Sequence, residues 1–269
     1  MRRKTKSLLR APSGSTGIRS QIVFDLVHDS IRSRAWISTG IPKNLFACLG
    51  EDLRCFKYLY FTDMDVSQNP SVSELAGRIV QAWALRAEAI KSEVARFRSV
   101  LSPEETYRAA SFRFDDLRST FILARACVRI LLGSYLGIAP AAVQFKYGIK
   151  GKPSVLGGKD LQFNVSHSGG LAVFAFTLGC DIGIDIEQVR SLSDIQDIAD
   201  RFFSVEEASE LMSVPNGQRL PAFFRCWTRK EAYVKAIGDG LSAPLNEFRV
   251  TIGANEPARL IHVGIESRG

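Results

Sequence analysis

Alternating apolar and polar positions predict short β-strands in the second part of this chain. The first is RIVQAWAL (78–85), which follows a long region without a readable pattern. Two more strands are predicted in LQFNVSHSGGLAVFAFTL (161–178), joined by a polar turn at residues 166–170. Another is DIGIDIE (181–187), in which every second residue is isoleucine. We therefore expect the regular part of the fold to begin near residue 75.

The strand at 181–187 carries acidic side chains in an arrangement that has two explanations. Successive strand residues point to opposite faces, so Asp185 and Glu187 stand side by side, with Gly183 leaving room beside them. Two adjacent carboxylates repel each other unless a cation or hydrogen bonds compensate. For a strand taken alone, an amphipathic edge with a solvated acidic face is the commoner arrangement. A site for Mg2+, which prefers oxygen ligands, is the alternative.

Helices are predicted where apolar residues recur every three or four positions. These segments are 91–101, 101–112, 119–137, 204–212 and 220–241. Two of them begin with a serine followed three residues later by glutamate, the capping boxes Ser102 with Glu105 and Ser204 with Glu207. The long amphipathic helix at 119–137 ends in glycine, as helices commonly do.

The last predicted helix places Trp227, Glu231 and Lys235 on one face, because they are four residues apart. A Glu–Lys pair at this spacing is most often a surface ion pair worth about 0.2–0.5 kcal/mol. Two features argue against a fully solvated face, since Lys230 adds a cation and tryptophan is an unusual neighbour for such a face. A neighbouring apolar stripe is expected to dock the helix on the sheet: Phe223, Cys226, Tyr233 and Ile237.

Two glycine-containing segments carry donors suited to an anionic oxygen. In YGIKGKPSV, Lys150 and Lys152 flank a glycine, a pattern that can wrap a phosphate although most such segments are ordinary turns. In FNVSHSGG, Ser166, His167 and Ser168 precede two glycines and are predicted to lie in the turn. A hydrogen-bonded hairpin turn explains this second segment equally well. Nothing in the sequence around His167 forms a serine–histidine–aspartate triad.

The composition narrows the class of protein. The 269 residues are 46% hydrophobic, which is enough for one large domain or two smaller ones. The formal net charge of +7 favours acidic partners, although a solvated basic surface has the same composition. No apolar run approaches the ~18 residues of a membrane-spanning helix. The five scattered cysteines contain no CxxC pair and indicate a reducing compartment, with Cys127 and Cys226 expected in the core.

Residues 1–74 carry no motif that can be assigned. The stretch before Asp25 is basic, rich in serine and glycine, and lacks the apolar run of a secretory signal. A disordered arm, an organelle-type presequence and sequence upstream of the working protein all fit it. We expect residues 1–74 to form a poorly ordered N-terminal extension.

In this order and spacing, the motifs together resemble those of the Sfp-type 4'-phosphopantetheinyl transferases, in their W/KEA subgroup. They are GKP (151–153), FNVSHS (163–168), GIDIE (183–187), FFSVEE (202–207) and WTRKEAYVKAIGDGL (227–241). The resemblance extends roughly over residues 78–252. It implies an α+β fold of two similar halves related by a pseudo-twofold axis, with the active site at their interface. We expect the first half at 75–162 and the second at 163–269.

The resemblance also implies an activity. The family transfers the 4'-phosphopantetheine arm of coenzyme A to a serine of an apo acyl or peptidyl carrier protein, with Mg2+ as cofactor and adenosine 3',5'-bisphosphate as the other product. Carriers of fatty acid, polyketide, nonribosomal peptide or lysine biosynthesis are all compatible with it. We expect a cytoplasmic monomer without a nucleic-acid or membrane partner.

The site residues follow from the resemblance position by position. The metal-site acids would be Asp185, Glu187 and Glu231. Lys235 matches a lysine that contacts the coenzyme A phosphates and would stabilise the transferring phosphoryl group. The remaining coenzyme A contacts would come from Arg118, Lys150, Lys152, Ser166 and His167. A carboxylate bound directly to Mg2+ is a poorer base, so we expect Glu231 to act first as a metal ligand and second as a proton acceptor.

The sequence departs from the family at both ends, and two other function classes share parts of the pattern. Residues 1–74 have no counterpart, and the chain stops at Gly269, about where the family continues into further strands. A Mg2+-dependent nucleotide phosphohydrolase would share the acids but release its product without a carrier protein. A non-catalytic module would hold coenzyme A or a carrier protein without turnover, and the short C-terminus favours this reading.

Overall fold

The computed structural model describes residues 70–76, 80–158, 160–240, 243–254, 256 and 258–263, together with the strands at 21–28 and 46–49. The α-helices are α1 (Val94–Arg98), α2 (Pro103–Ala110), α3 (Asp115–Leu136), α4 (Ile195–Phe202), α5 (Val205–Ser213) and α6 (Asn216–Ile237). The strands are β1 (Gln21–His28), β2 (Phe46–Leu49), β3 (Gln81–Arg86), β4 (Phe145–Tyr147), β5 (Pro153–Val155), β6 (Leu161–Ser168), β7 (Leu171–Leu178), β8 (Asp181–Gln188), β9 (Phe248–Val250) and β10 (Leu260–Val263). This mixture of helices and strands confirms the predicted α+β class.

Two small sheets carry the strands that build the site. β7 lies between β3 and β6 and is antiparallel to both. In the other sheet β8 pairs with β1, which pairs in turn with β2. The β1–β8 pair is parallel and runs from Gln21 opposite Asp181 to His28 opposite Gln188. β6 and β8 therefore belong to different sheets.

Most of the predicted N-terminal extension, residues 1–74, lies outside the described residues, so its order stays a prediction. β1 and β2 lie within residues 1–74, and a short 3-10 helix spans Val72–Leu75. β1 supplies β8 with a backbone partner that the sequence pattern did not indicate. The predicted boundary at residues 162 and 163 falls inside β6. Because β6 and β7 share a sheet with β3, strand pairing places both of them with the first half.

Both predicted capping boxes are present. Ser102 Oγ accepts from the Glu105 N–H at 3.3 Å, and Glu105 Oε2 accepts from the Ser102 N–H at 2.9 Å. The second box joins Ser204 and Glu207 in the same way, at 3.2 and 2.8 Å. α3 ends as predicted at Gly137, whose φ of 66° is left-handed and suits glycine. Local end signals thus located these helix termini correctly.

The predicted turn after β6 is shorter than expected. β6 continues through Ser168, so Ser166 and His167 lie on a strand and not in a turn. The turn consists of Gly169 and Gly170, with φ of 58° and 79°. Two glycines with positive φ match the twist of a tight hairpin, so the strand can extend to the residue before them. As a consequence, Ser166 and Ser168 share one face of β6 and His167 lies on the other.

The two longest helices run through the cores of the two halves. α3 contributes Leu123 and Cys127, both fully buried, to the first core. Among the described residues, α3 is long and apolar enough to cross a membrane by length and composition, with 61% of its 18-residue window buried in the protein. α6 contributes Cys226 to the second core, and it begins earlier than predicted, so Pro221 lies inside it. The predicted burial of both cysteines is confirmed.

Candidate active site

α6 lies directly against β8 because Gly183 places no side chain between them. A Cβ on Gly183 would stand 1.9 Å from the carbonyl oxygen of Ala232 and 2.5 Å from the amide nitrogen of Ala236. Only glycine fits at this distance. Glu231 and Lys235 each precede one of these alanines. The close approach of helix and strand therefore brings both side chains to the acidic strand.

The apolar stripe predicted to dock α6 on a sheet packs in the second core, which includes residues of β9. Phe223 and Cys226 are buried in the second core, and the ring of Tyr233 packs against Phe248 with centroids 4.7 Å apart. The contact with β8 is made by small residues of α6 instead. The apolar pattern gave no indication of the contact with β8, because that contact depends on the absence of side chains.

Asp185 is buried on β8, with 4% of its surface exposed. Its Oδ1 accepts hydrogen bonds from Lys235 Nζ at 2.5 Å and from Ser166 Oγ at 2.8 Å. Its Oδ2 is also buried and has no hydrogen-bond partner within the described part of the chain. Burial raises the pKa of Asp185, although the charge of Lys235 and the Ser166 hydroxyl act in the opposite direction.

Glu231 is a second acid with a buried oxygen, Oε1, that has no partner among the described residues. Burial raises the pKa of Glu231, and the negative charges of Asp185 and Glu187 raise it further. Glu187 Oε2 accepts from Ser168 Oγ at 2.8 Å and lies 3.7 Å from Arg190 Nη1. The structure therefore brings the three predicted carboxylates close enough for their charges to interact.

These carboxylates fit a hard divalent cation. Mg2+ prefers oxygen ligands, keeps several waters, and is usually held by one or two carboxylates together with substrate phosphates. The unpartnered oxygens of Asp185 and Glu231, and the repulsion between the two acids, both favour a positive charge at this position. Across the described ranges, no group of three acidic, histidine or cysteine side chains is placed to hold a metal ion, so Asp185, Glu187 and Glu231 as a set of three ligands stay a prediction.

Lys235 contacts β8 and does not form the surface pair with Glu231 that helical spacing favours. Its Nζ donates to Asp185 Oδ1, to Ser166 Oγ at 2.9 Å and to the Ile184 carbonyl at 3.4 Å. Its ion pair in the structure is with Asp185. The lysine therefore lies against the carboxylate site, where its charge can act on a bound anion.

Two neighbouring residues on α6 are structural. Lys230 is fully buried, and its Nζ donates to Glu207 Oε2 at 2.7 Å and to the carbonyls of Leu245 and Phe248 at 2.7 and 2.5 Å. It does not add a cation to the site, so that part of the sequence interpretation was wrong. Trp227 packs among phenylalanine rings of the second core, which explains its place beside a functional face.

Comparison with known proteins identifies the family. The family model described as "4'-phosphopantetheinyl transferase superfamily" matches residues 181–267, and the one described as "4'-phosphopantetheinyl transferase, N-terminal" matches residues 83–178. The 4'-phosphopantetheinyl transferase HetI of Nostoc sp. is 40% identical over 185 residues, which cover 67% of this chain and 77% of HetI. The chain belongs to the Sfp-type 4'-phosphopantetheinyl transferases.

Two further relatives of this transferase match a similar stretch. The 4'-phosphopantetheinyl transferase Sfp of Bacillus subtilis is 33% identical over 162 residues, which cover 60% of this chain and 71% of Sfp. A putative 4'-phosphopantetheinyl transferase of Synechocystis sp. is 33% identical over 153 residues, which cover 56% of this chain and 62% of that protein. The family transfers phosphopantetheine from coenzyme A to carrier proteins and generally depends on a divalent metal. The two matching models also confirm an organisation in two halves.

Two of the three lysines predicted to bind coenzyme A, Lys150 and Lys152, lie between β4 and β5, beside the C-terminal end of α6. Lys152 Nζ donates to the carbonyl of Ala236 at 2.6 Å, and burial lowers the pKa of this lysine. Lys150 is exposed on the preceding turn, and its backbone lies beside Gly240. The β4–β5 turn is thereby held next to the helix end that carries Lys235.

The other predicted coenzyme A contacts of the transferase lie on first-half elements. Arg118 on α3 donates to Asp115 Oδ1 at 2.6 Å and to the Phe112 carbonyl at 2.8 Å. His167 is exposed on the face of β6 opposite Ser166. No contact between described residues joins Arg118 or His167 to the carboxylates. Their roles remain predictions.

Ser166 is placed at the centre of the carboxylate site. Its hydroxyl donates to Asp185 and accepts from Lys235 Nζ and from the Ile186 N–H, at 3.3 Å for the last. A serine hydroxyl has one proton and two lone pairs, so its capacity is full in this arrangement. Its predicted contact with coenzyme A would require one of these bonds to break.

The sequence interpretation missed Asn164 and named Ser168 only as a donor of the predicted turn. Both flank Ser166 at alternate positions of β6. Both face β8, where their side-chain oxygens accept hydrogen bonds from backbone N–H groups. The spacing N-x-S-x-S carries this signal, since alternate residues share a face. Which strand that face meets could not be known, because β6 and β8 lie in different sheets.

Proposed function

We propose that this transferase moves the 4'-phosphopantetheine arm of coenzyme A onto a serine of an apo acyl or peptidyl carrier protein, depends on Mg2+ and releases adenosine 3',5'-bisphosphate. The observation that supports this most is the pair of buried, unpartnered carboxylate oxygens on Asp185 and Glu231, beside Lys235. A buried polar atom without a partner costs stability, so it needs a reason to be there. A cation bound together with the pyrophosphate supplies that reason.

Positive side chains would hold the phosphates of coenzyme A. Lys235 lies at the carboxylates and would contact the pyrophosphate, where its charge stabilises the phosphoryl group during transfer. Lys150 and Lys152 lie on the β4–β5 turn beside the end of α6 and would contact the nucleotide part of coenzyme A. Arg118 and His167 are proposed for the 3'-phosphate, whose charge matches basic side chains.

The proposed transfer exchanges one P–O bond for another. The carrier serine oxygen bonds to the phosphorus that carries pantetheine, and the bond from that phosphorus to the bridging oxygen breaks. Adenosine 3',5'-bisphosphate leaves with the electron pair. Glu231 serves first as a metal ligand and second as the acceptor of the serine proton, directly or through a water. A bound Mg2+ would neutralise charge on the pyrophosphate oxygens.

The partner is proposed from charge. Carrier proteins are usually acidic, and the net charge of +7 favours their association with this chain. The cytoplasmic location and the monomeric state expected from the sequence remain proposals. Size-exclusion chromatography with light scattering would test the second, since a dimer would double the measured mass.

Intact-mass spectrometry of a carrier protein tests the reaction directly. Apo carrier proteins from several pathways would be incubated with the transferase, coenzyme A and Mg2+, with EDTA in a parallel sample. We expect a gain of one phosphopantetheine only with Mg2+, together with an equal amount of adenosine 3',5'-bisphosphate by chromatography. Asp185→Asn should lose this activity, while Asp116→Asn, an exposed surface acid on α3, should keep it.

Two outcomes would overturn the proposal. Release of the bisphosphate without any carrier protein would indicate a nucleotide phosphohydrolase. Binding of coenzyme A by the folded protein, with no mass gain on any carrier, would indicate a non-catalytic module.

A further inference from the structure

Side chains of β6, and not its backbone, accept hydrogen bonds from the backbone of β8. The acceptors are Asn164 Oδ1, Ser166 Oγ and Ser168 Oγ, and the donors are the N–H groups of Ile184 at 2.9 Å, Ile186 at 3.3 Å and Gln188 at 3.1 Å. Donors and acceptors both lie at alternate residues, because a strand repeats every two positions. The backbone of β6 is paired with β7. These side-chain bonds therefore tie the first-half sheet to the acidic strand.

The two serines of this row make a second bond that the asparagine does not. Ser166 Oγ donates to Asp185 Oδ1, and Ser168 Oγ donates to Glu187 Oε2, each at 2.8 Å. In both cases the carboxylate belongs to the residue just before the N–H donor. The residue in that position opposite Asn164 is Gly183, which has no side chain. The hydroxyl thus links the β8 backbone to the β8 carboxylate.

We propose that Ser168 is a positioning residue for Glu187, holding its carboxylate ready for the divalent cation. This inference rests on the proposed function, because it concerns the same site. A hydroxyl that already accepts an N–H is polarised and donates more strongly. Its bond occupies Oε2 and leaves Oε1 available to a ligand. The ion pair of Glu187 with Arg190 is longer, at 3.7 Å, and the Arg190 side chain is 64% exposed.

The expected effect is on metal affinity. Outer partners that orient a metal-binding carboxylate typically contribute about 10- to 100-fold to affinity. Ser168→Ala should therefore weaken cation binding by roughly 10-fold, since Glu187 remains present but is no longer held. Ser168→Thr keeps the hydroxyl and should restore most of the affinity. Asn164→Ala is the matched control, because it removes one bond to the β8 backbone without touching a carboxylate.

The experiment is a titration of the full chain with Mn2+, with coenzyme A present, followed by electron paramagnetic resonance of the free ion. Thermal melting of each variant would verify that it is folded. We expect weaker Mn2+ binding for Ser168→Ala alone, and lower thermal stability but unchanged affinity for Asn164→Ala. Equal affinity of Ser168→Ala and the unaltered protein would overturn the proposal. Equally weak Mn2+ binding by Asn164→Ala would also overturn the proposal. The β6 side chains would then affect the metal only by fixing the position of β8, and not through the Glu187 carboxylate.

Failure of this inference can be told apart from failure of the proposed function. Carrier modification by the unaltered protein would be measured in the same samples by intact mass. If transfer is intact and Ser168→Ala binds Mn2+ normally, only the positioning role is wrong. If the unaltered protein binds no Mn2+ and modifies no carrier, the proposed function itself is wrong, and the positioning role falls with it.

Discussion

The two halves of this transferase repeat one buried ion pair with different residues. In the first half, Glu105 accepts from Arg129 Nε at 2.6 Å, and in the second, Glu207 accepts from Lys230 Nζ at 2.7 Å. Each glutamate is the third residue of a short helix and belongs to a capping box. Each cation lies on a 22-residue helix that ends in a left-handed glycine. The halves therefore share a helical scaffold as well as a fold class.

Each cation also holds the segment that follows its helix. Arg129 Nη1 donates to the carbonyls of Pro140 and Val143, at 3.1 and 2.9 Å. Lys230 donates in the same way to two carbonyls in the segment after α6. The buried cation thus pairs with the capping glutamate and also donates hydrogen bonds to backbone carbonyls of the segment that follows the helix. The repetition of this arrangement supports the predicted pseudo-twofold relation.

The halves differ where helix meets strand. In the first half, large side chains fill this space, and Trp83 Nε1 on β3 donates to the hydroxyl of Tyr135 on α3 at 3.1 Å. In the second half, Gly183 brings the backbone of β8 against Ala232 and Ala236 of α6. Aromatic side chains therefore fill the space between α3 and β3 in the first half, whereas α6 and β8 are in backbone contact in the second half.

The residues next to this contact differ accordingly. When α3 and α6 are aligned by their terminal glycines, Ile130 and Ser134 correspond to Glu231 and Lys235. Ile130 packs against the first core, while Glu231 and Lys235 lie at the acidic strand. The comparison teaches that the scaffold alone makes no site. We propose that the chemistry depends on a close helix–strand contact with charged residues beside it.

The largest expected effect is on stability, at the two buried ion pairs. Glu207→Gln leaves Lys230 without its counterion in a place where neither side chain is exposed, and should cost about 3–5 kcal/mol of unfolding free energy. Glu105→Gln should cost less, about 1–3 kcal/mol, because Glu105 and Arg125 are partly reached by water. Urea unfolding measures both. A larger loss for Glu105→Gln would contradict the comparison.

The helix–strand contact should be sensitive to a single methyl group. Gly183→Ala would force α6 away from β8, with a loss of about 1–3 kcal/mol from overpacking. A displacement of about 1 Å can lower transfer by roughly 100-fold, since Glu231 and Lys235 move with the helix. Gly217→Ala, on the same helix but in open space, is the control and should be nearly neutral. Normal transfer by folded Gly183→Ala would show that the contact does not position the site.

The smallest expected effect is a pH dependence of the metal-free protein. Burial and neighbouring acids raise the pKa of Glu231, so folding is favoured by its protonated form. That stability is present below the ordinary value of 4.5 and is lost as pH rises through the raised pKa. Glu231→Gln should therefore melt at a higher temperature than the unaltered protein at neutral pH without metal. The difference should disappear as pH falls below 4.5, and identical melting at all pH values would contradict it.

Much of the fold was predictable because it depends on local signals. The capping boxes at Ser102 and Ser204 and the glycine after α3 set helix ends through nearby bonds. The alternation in DIGIDIE identified β8 and its acidic face correctly. Contacts between distant elements were not predictable in this way. The parallel pairing of β1 with β8 joins segments far apart in the chain, and no local pattern indicates it.

In the candidate site too, local motifs were predictable and contacts between distant elements were not. Asp185, Glu187, Glu231 and Lys235 were named from their motifs, and the structure brings them together. The interpretation of Lys230 was wrong because it placed this lysine on the face of Glu231, the next residue. Helical spacing places Lys230 with Cys226, on the buried side where it pairs with Glu207. The contacts of Ser168 with β8 were missed because they depend on which strand lies opposite β6. Long-range packing decides such partners.

The central claim is that transfer depends on Glu231 of the second half and not on the corresponding position of the first. The most direct measurement is the rate of phosphopantetheine addition to a carrier protein, followed by intact-mass time courses. Glu231→Gln should lower this rate by about 100-fold or more, given the several kcal/mol that a metal site supplies. Ile130→Val should leave it unchanged. A folded Glu231→Gln variant that modifies the carrier at the rate of the unaltered protein would contradict the account.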